Sequence, residues 1–239
     1  MNPYQTNSRR FKFRKTAYTT PLNISVILDV CGAVSIRTGP LKVFYCCVFT
    51  LMLTLGLLHH FDVMNGELLL DLRFEAPAIS NGDYWRLFSG HFVHLNLPHT
   101  FMNLGALCLL VMMFWKELSF REDMSALLAS IVGINIGLYF FHPELTNYAG
   151  FSGVLHGLFV YYFLKTLPLH KRGSYAALSL ITVKIMWEQS PWADSSETAN
   201  LIGGNVATVS HLYGGLCGAL AGMSFLFFKK NNKNTLLAP

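Results

Sequence analysis

Charge is what this sequence has least of. Only 13% of its 239 residues are Asp, Glu, Lys or Arg, against 52% hydrophobic. Soluble domains carry about 25% charged residues, and a soluble chain of this size would need them to cover its core. The shortage argues against a soluble domain. Cysteine is also sparse: Cys31, Cys46, Cys47, Cys108 and Cys217 include no CxxC pair, and four lie inside apolar runs. Neither a disulfide framework nor a zinc ribbon is expected; the cysteines read as small hydrophobes. There is no H-E-x-x-H motif, no sequence repeat and no low-complexity tract. No A-x-A-like site follows the apolar run 41–58, so that run is read as a first membrane helix rather than a cleaved signal.

Apolar runs near the ~20 residues needed to cross a bilayer are what the chain does have. They predict six helices, at about 42–60, 99–115, 124–141, 152–168, 174–188 and 207–228. The third is interrupted by Gly133 and Gly137, and the fifth carries Lys184 and Glu188 near its end. The expected fold is an all-α membrane protein: a six-transmembrane-helix bundle with a long interfacial first outer loop at 61–98. Residues 1–41 are read as a basic cytoplasmic or interfacial segment, 42–228 as the six-helix domain and 229–239 as a basic cytoplasmic tail. With the N-terminus inside, fifteen of the eighteen Lys and Arg fall on the inner side, while the outer loops hold only Arg73 and Arg86 against eight acids. This is the positive-inside pattern. The net charge of +5 therefore reflects opposed layers, and the expected partner is the lipid bilayer, not nucleic acid. Loop 189–206 reads equally as a movable cap or a solvated linker.

This topology brings several polar residues to one outer depth. His99 and Asn103 lie in the first turns of helix two, Ser152 opens helix four with His156 one turn in, and His211 is in the second turn of helix six. Polar groups are expensive in a membrane, so such a layer is a candidate site. A lone serine here would be a helix cap and a lone histidine an interhelical hydrogen bond. Gly150-Phe151-Ser152-Gly153 adds glycines that allow a tight turn, with the hydroxyl exposed at a helix N-terminus whose free N–H groups suit an oxyanion. His211 precedes Gly214, Gly218 and Gly222, matched on helix four by Gly153 and Gly157. Small faces of this kind let helices approach closely, which would set His211 beside Ser152 as the base a serine needs. His99 and Asn103, at i and i+4, suit an oxyanion hole. Zinc on His99, His156 and His211 is disfavoured, because no carboxylate in the outer helix turns would serve as base; no metal or cofactor is expected. His59, His60, His91, His94, His142 and His170 read as bystanders.

In order along the chain, Trp85-Arg86, His99-x-x-x-Asn103, Gly150-Phe151-Ser152-Gly153 and His211-x-x-Gly214-x-x-x-Gly218 resemble the pattern of the rhomboid intramembrane serine proteases, from about Asp83 to Phe228. The resemblance implies Ser152 as nucleophile and His211 as general base and acid, a dyad without a carboxylate. It implies an oxyanion hole from the Ser152 backbone N–H, His99 and Asn103. Gly150, Gly153, Gly214 and Gly218 would be supporting, and Arg86 would anchor the first loop. Two positions depart from the family. His156 stands where many members have a Tyr packed on the catalytic histidine, and could either stack similarly or perturb the base; Ser210 stands where Ala is common.

The stretches 85–96 and 150–157 also resemble rhombosortases, rhomboid proteases of Gram-negative bacteria that process proteins with a GlyGly-CTERM tail. That implies substrates anchored by a C-terminal Gly-Gly, a membrane helix and a basic end. It also implies an inner-membrane enzyme with cytoplasmic termini and a site opening to the periplasm. Substrate is expected to enter near helix five, and the acyl-enzyme to pass to water or to another nucleophile such as a lipid amine. The alternative is a non-catalytic rhomboid-like protein that binds membrane helices. A transporter is disfavoured, since no carboxylate was placed in helices two, three, four or six.

Overall fold

The computed structural model describes residues 43–61 and 67–236, with side chains up to residue 231. The segment 1–41, including Cys31, and the end of the tail lie outside the described residues.

Six longer helices follow the predicted order: α1 (Val43–His60), α5 (Leu97–Met113), α6 (Phe120–Ile136), α7 (Ser152–Thr166), α8 (Lys171–Glu188) and α10 (Thr208–Leu236). Short helices α2 (Glu67–Leu72), α3 (Ala76–Ser80) and α4 (Arg86–Ser89) fill the first loop, and α9 (Ser196–Ile202) lies in the loop before α10. Val43–His60, Phe120–Phe141 and Thr208–Asn231 are long and apolar enough to cross a membrane, and α5 is a shorter apolar helix. The outward sides of these helices are apolar: Phe101, Leu109 and Met112 on α5, Leu128, Val132 and Ile136 on α6, and Leu216, Leu220, Met223 and Phe227 on α10 are all exposed. A surface like this suits lipid, not water. The chain is an all-α integral membrane protein with one small exception. A two-residue antiparallel ladder pairs Phe74 with Tyr148 and Glu75 with Asn147, tying the first loop to the turn before Ser152. Two residues are too few to leave an alternating pattern in a sequence.

Local signals explain the helix starts. Asn96 caps α5 by accepting the His99 N–H at 2.9 Å, with Pro98 in the first turn. α6 starts at Phe120 rather than at the predicted 124, because Glu122 and Asp123 suit the positive end of a helix. The Asp123 carboxylate also reaches back to the Ser119 N–H at 3.2 Å. Two carboxylates thus lie inside the third long helix, contrary to the sequence expectation. Gly133 and Gly137 do not break this helix. A methyl on Gly133 would overlap the Cys217 sulfur and one on Gly137 the Tyr213 ring, so they are the seam where α10 packs on α6. The helix continues past Ile136 as a π-helical turn, Gly137–Phe141.

α7 is the centre of the bundle. Gly153, Val154, Leu155, Gly157, Leu158, Tyr161 and Tyr162 are buried on it. α10 lies directly against it: a methyl on Gly214 would overlap the Gly153 carbonyl oxygen, and one on Gly218 that of Gly157. Only glycine permits backbones this close. By contrast α8 buries only Ser174 and Ile185.

Polar groups collect at the two ends of α7. At its C-terminal end Lys165 is 8% exposed, paired with Glu122 at 2.7 Å and donating to the Glu117 carbonyl at 2.6 Å. Asp123 accepts from the Tyr45 hydroxyl at 3.2 Å. Lys165, near the end of the predicted fourth helix, is therefore a buried, partnered cation.

Substituting Gly214 or Gly218 by Val should therefore push α10 off α7. Thermal unfolding in detergent should show a loss of about 1–3 kcal/mol or more for each. Gly105, with open space around it, should accept Ala without loss.

Candidate active site

Ser152 is the first residue of α7, placed there by a turn that requires glycine. Gly150 has φ of +131°, a conformation that L side chains rarely adopt. Its N–H donates to the Gly90 carbonyl at 3.0 Å, and its own carbonyl accepts from the buried Tyr148 hydroxyl. The chain then reverses into α7, whose first N–H groups have no intrahelical acceptor. The ring of His99 lies against this turn: a methyl on Gly150 would sit 2.9 Å from His99 Cε1.

The close approach of α10 brings His211 to the serine. The Ser152 hydroxyl is 2.9 Å from His211 Nε2. On the other side of the ring, His211 Nδ1 is 2.8 Å from Glu188 Oε2 at the end of α8. A carboxylate can only accept, so Nδ1 carries the proton, Nε2 is the free lone pair, and the serine O–H donates to it. His211 is 5% exposed. The resemblance implied a dyad without a carboxylate, and the sequence put Glu188 near the end of the fifth helix with no role at the base.

His156 stacks on His211, with centroids 4.0 Å apart and planes 18° from parallel. Its Nδ1–H donates to the Ser152 carbonyl at 2.8 Å, and its Nε2 accepts from Lys184 at 3.1 Å. Lys184 also reaches the second oxygen of Glu188. Asn103 is buried and donates through Nδ2 to the His99 carbonyl at 2.9 Å, while its Oδ1 has no partner among the described residues. Its second N–H remains for another acceptor.

Could these residues hold a metal? The ligand atoms of His156, Glu188 and His211 lie within 4.8 Å of one another. The ammonium of Lys184 already contacts two of the three. Two stacked imidazoles also direct their lone pairs along nearly parallel planes, which converge poorly on one ion. The donor set fits a protein cation better than zinc.

Around this centre the loops are structured. Arg86 donates to the Leu70 and Arg73 carbonyls and pairs with Asp83 at 3.0 Å, holding α2 to α4. Loop 189–206 is more than a solvated linker. It contains α9, buries Ile202, and its Leu201 carbonyl accepts from Asn96, the cap of α5, at 2.9 Å.

The chain matches the Rhomboid domain over residues 81–228. It belongs to the rhomboid family. It is also similar to a Bacillus subtilis (strain 168) protein named "Putative rhomboid protease YdcA", 26% identical over 157 residues that cover 65% of this chain and 73% of that protein. The family points to intramembrane proteolysis. The matched segment contains Ser152, His211, His99, Asn103 and Glu188, and so takes in the whole polar cluster of this rhomboid.

Two histidines passed over as bystanders are structural. His91 is fully buried, 3.3 Å from Asn135 Oδ1, and Asn135 donates to the Leu87 carbonyl at 2.6 Å, joining the first loop to α6. His94 packs edge-on against His99 at 4.9 Å. Burial pushes His91 down to about 4, and burial with the neighbouring His99 pushes His94 down to about 3; the ordinary value is 6.5. Between those values the unfolded chain binds protons that the folded chain does not. Stability should be full above about pH 6.5 and decline as pH falls toward 4. Melting temperatures in detergent at pH 7.5 and 5.0 test this, and His91→Phe should flatten the dependence.

Proposed function

We propose that this rhomboid is an active intramembrane serine endopeptidase that cleaves membrane-anchored proteins near the outer membrane face. The supporting observation is the hydrogen bond from the Ser152 hydroxyl to His211 Nε2, 2.9 Å long, at the start of α7. Ser152 Oγ attacks the peptide carbonyl as His211 takes its proton. The negative charge on the carbonyl oxygen is met by the Ser152 backbone N–H, His99 and Asn103. The imidazolium then gives its proton to the leaving amine, and water hydrolyses the acyl-enzyme by the same relay. A nucleophile such as a lipid amine would replace that water in a transfer reaction.

In this reading α1, α5, α6, α7, α8 and α10 each cross the inner membrane, both termini are cytoplasmic, and the site opens to the periplasm. The charge bias along the chain supports that orientation, as does the collection of Ser152, His211, His99 and Glu188 at the end of the bundle opposite Lys165. Substrate would enter beside α8, the long helix with fewest buried residues. The substrates would be proteins ending in Gly-Gly, a membrane helix and a basic tail. Glycine pairs suit such a site chemically, because glycine disfavours helix and exposes its backbone. A peptide bond must leave its helix before a nucleophile can reach it.

The alternative is a rhomboid that binds membrane helices without cutting them. Purified protein in detergent, given a GlyGly-tailed membrane substrate, separates the two. Cleavage should disappear in Ser152→Ala and in His211→Ala, and a fluorophosphonate should label the parent at Ser152. Removing His99 or Asn103 should slow cleavage by about 10²–10³ each. An unlabelled, uncleaving parent would favour the binder.

A further inference from the structure

Ser152, His211, Glu188, Lys184 and His156 form a closed circuit of polar contacts. It runs from the Ser152 hydroxyl to His211 Nε2 at 2.9 Å, and from His211 Nδ1 to Glu188 Oε2 at 2.8 Å. From the other Glu188 oxygen it passes to Lys184, from Lys184 to His156 Nε2 at 3.1 Å, and from His156 Nδ1 back to the Ser152 carbonyl at 2.8 Å. The stacked faces of His156 and His211 close it across the middle.

We propose that Glu188 is a positioning residue for the base, so that the Ser152–His211 pair works as a triad, and that Lys184 and His156 hold Glu188 in place. The proposal rests on the reading of Ser152 as the nucleophile.

Three physical requirements meet at Glu188. The His211 side chain is 6% exposed, so its Nδ1–H must find an acceptor or bear the cost of a buried unpaired donor. Glu188 supplies that acceptor, and in doing so leaves Nε2 as the lone pair facing the serine. When the ring takes the serine's proton, a cation forms in a mostly dry site, and the carboxylate stabilises it without itself becoming protonated. An unaccompanied carboxylate there would be costly. Lys184, one turn earlier on the same face of α8, offsets its charge, so the resting circuit carries no net charge.

A bland reading treats Lys184–Glu188 as an i,i+4 surface pair, worth little. The exposures argue otherwise. Lys184 is 51% exposed but Glu188 only 19%, and the oxygen that Lys184 leaves free is given to His211. The circuit also accounts for the imidazole at 156. It presents a stacking face to His211, and with Nδ1–H committed to the Ser152 carbonyl its Nε2 is an obligate acceptor for Lys184.

The readout is the rate at which a fluorophosphonate labels the purified full-length protein in detergent, measured across pH. The charged and titratable groups facing His211 are His99 from α5, His156 from α7, and Lys184 and Glu188 from α8; each variant changes one of the last two. Glu188→Gln should label at least tenfold more slowly at pH 7.5, toward the about 10⁴-fold loss known when a triad acid is neutralised. The acid limb of its profile should move to lower pH, because the imidazolium loses its anionic neighbour. Glu188→Asp should recover part of the rate. Lys184→Met should shift the limb the opposite way, to higher pH, since a competing cation is gone. A purely structural role would lower the rate without opposed shifts. If Glu188→Gln does not fold, the shift in Lys184→Met and the slowed labelling of Glu188→Asp carry the decision; parental profiles in both would overturn the proposal. Parental rate and profile in a folded Glu188→Gln, with Ser152→Ala still unlabelled, would overturn the triad while leaving the serine reading intact. Labelling of Ser152→Ala at the parental rate would remove both.

Discussion

The contact on which everything else in this protein depends is made by no side chain. α7 and α10 approach until the Cα of Gly214 lies against the Gly153 carbonyl, and that of Gly218 against Gly157. In a bilayer the hydrophobic effect gives helices little reason to associate, so close van der Waals packing has to hold them. The same contact fixes chemistry. Gly153 follows Ser152, and Gly214 lies three residues after His211, so backbone contact at the glycines sets the distance between hydroxyl and imidazole. A residue with a Cβ at either position would part the helices and the Ser152–His211 hydrogen bond together.

That economy explains why so much of the site could be read from sequence. Small residues at a spacing of four mark a helix face, and the face locates the residues beside it, which is how Ser152 and His211 could be placed together from sequence; the stacking of His156 was left open between two readings. Helix order and the charge bias were legible for a similar reason, since each depends on a run of residues rather than on one. Glu188 was not legible. Its partner lies twenty-three residues further along the chain, across a loop whose path no periodicity records. An acid at the end of a weakly apolar helix looks like an outer-loop charge until α8 is seen to turn that end toward His211. The misplaced start of α6 has a related cause: a charge at a helix end and a charge in a loop look alike in sequence, and only a partner distinguishes them.

The two ends of α7 answer one constraint in different ways. At the C-terminal end Lys165, Glu122 and Asp123 sit with Tyr45 and Tyr162, each polar group joined to another helix; there the charges serve as clamps, among α1, α6 and α7. At the N-terminal end the same kinds of group are arranged around the Ser152 hydroxyl. A serine at a helix start would be content with one acceptor. Here it has an imidazole, a second imidazole stacked behind the first, and an ion pair. The excess of partners over what capping by Ser152 requires is what makes this cluster the candidate site.

The members of this cluster are not held equally. Ser152, His156 and His211 belong to the tightly packed pair α7 and α10, while Glu188 and Lys184 ride on α8, which buries only two of its residues. The carboxylate of the circuit is thus carried by its most loosely held element. Any displacement of α8 away from α7 lengthens the Glu188–His211 contact and withdraws Lys184 from His156, leaving the serine and its base in place but with Nδ1–H unpaired. In the proposed triad, where α8 sits and how strongly His211 acts as a base are therefore one variable. If substrate enters beside α8 as proposed, it acts on that variable directly: the path that would admit the substrate would also disconnect the acid, and the full circuit would exist only once α8 had closed again.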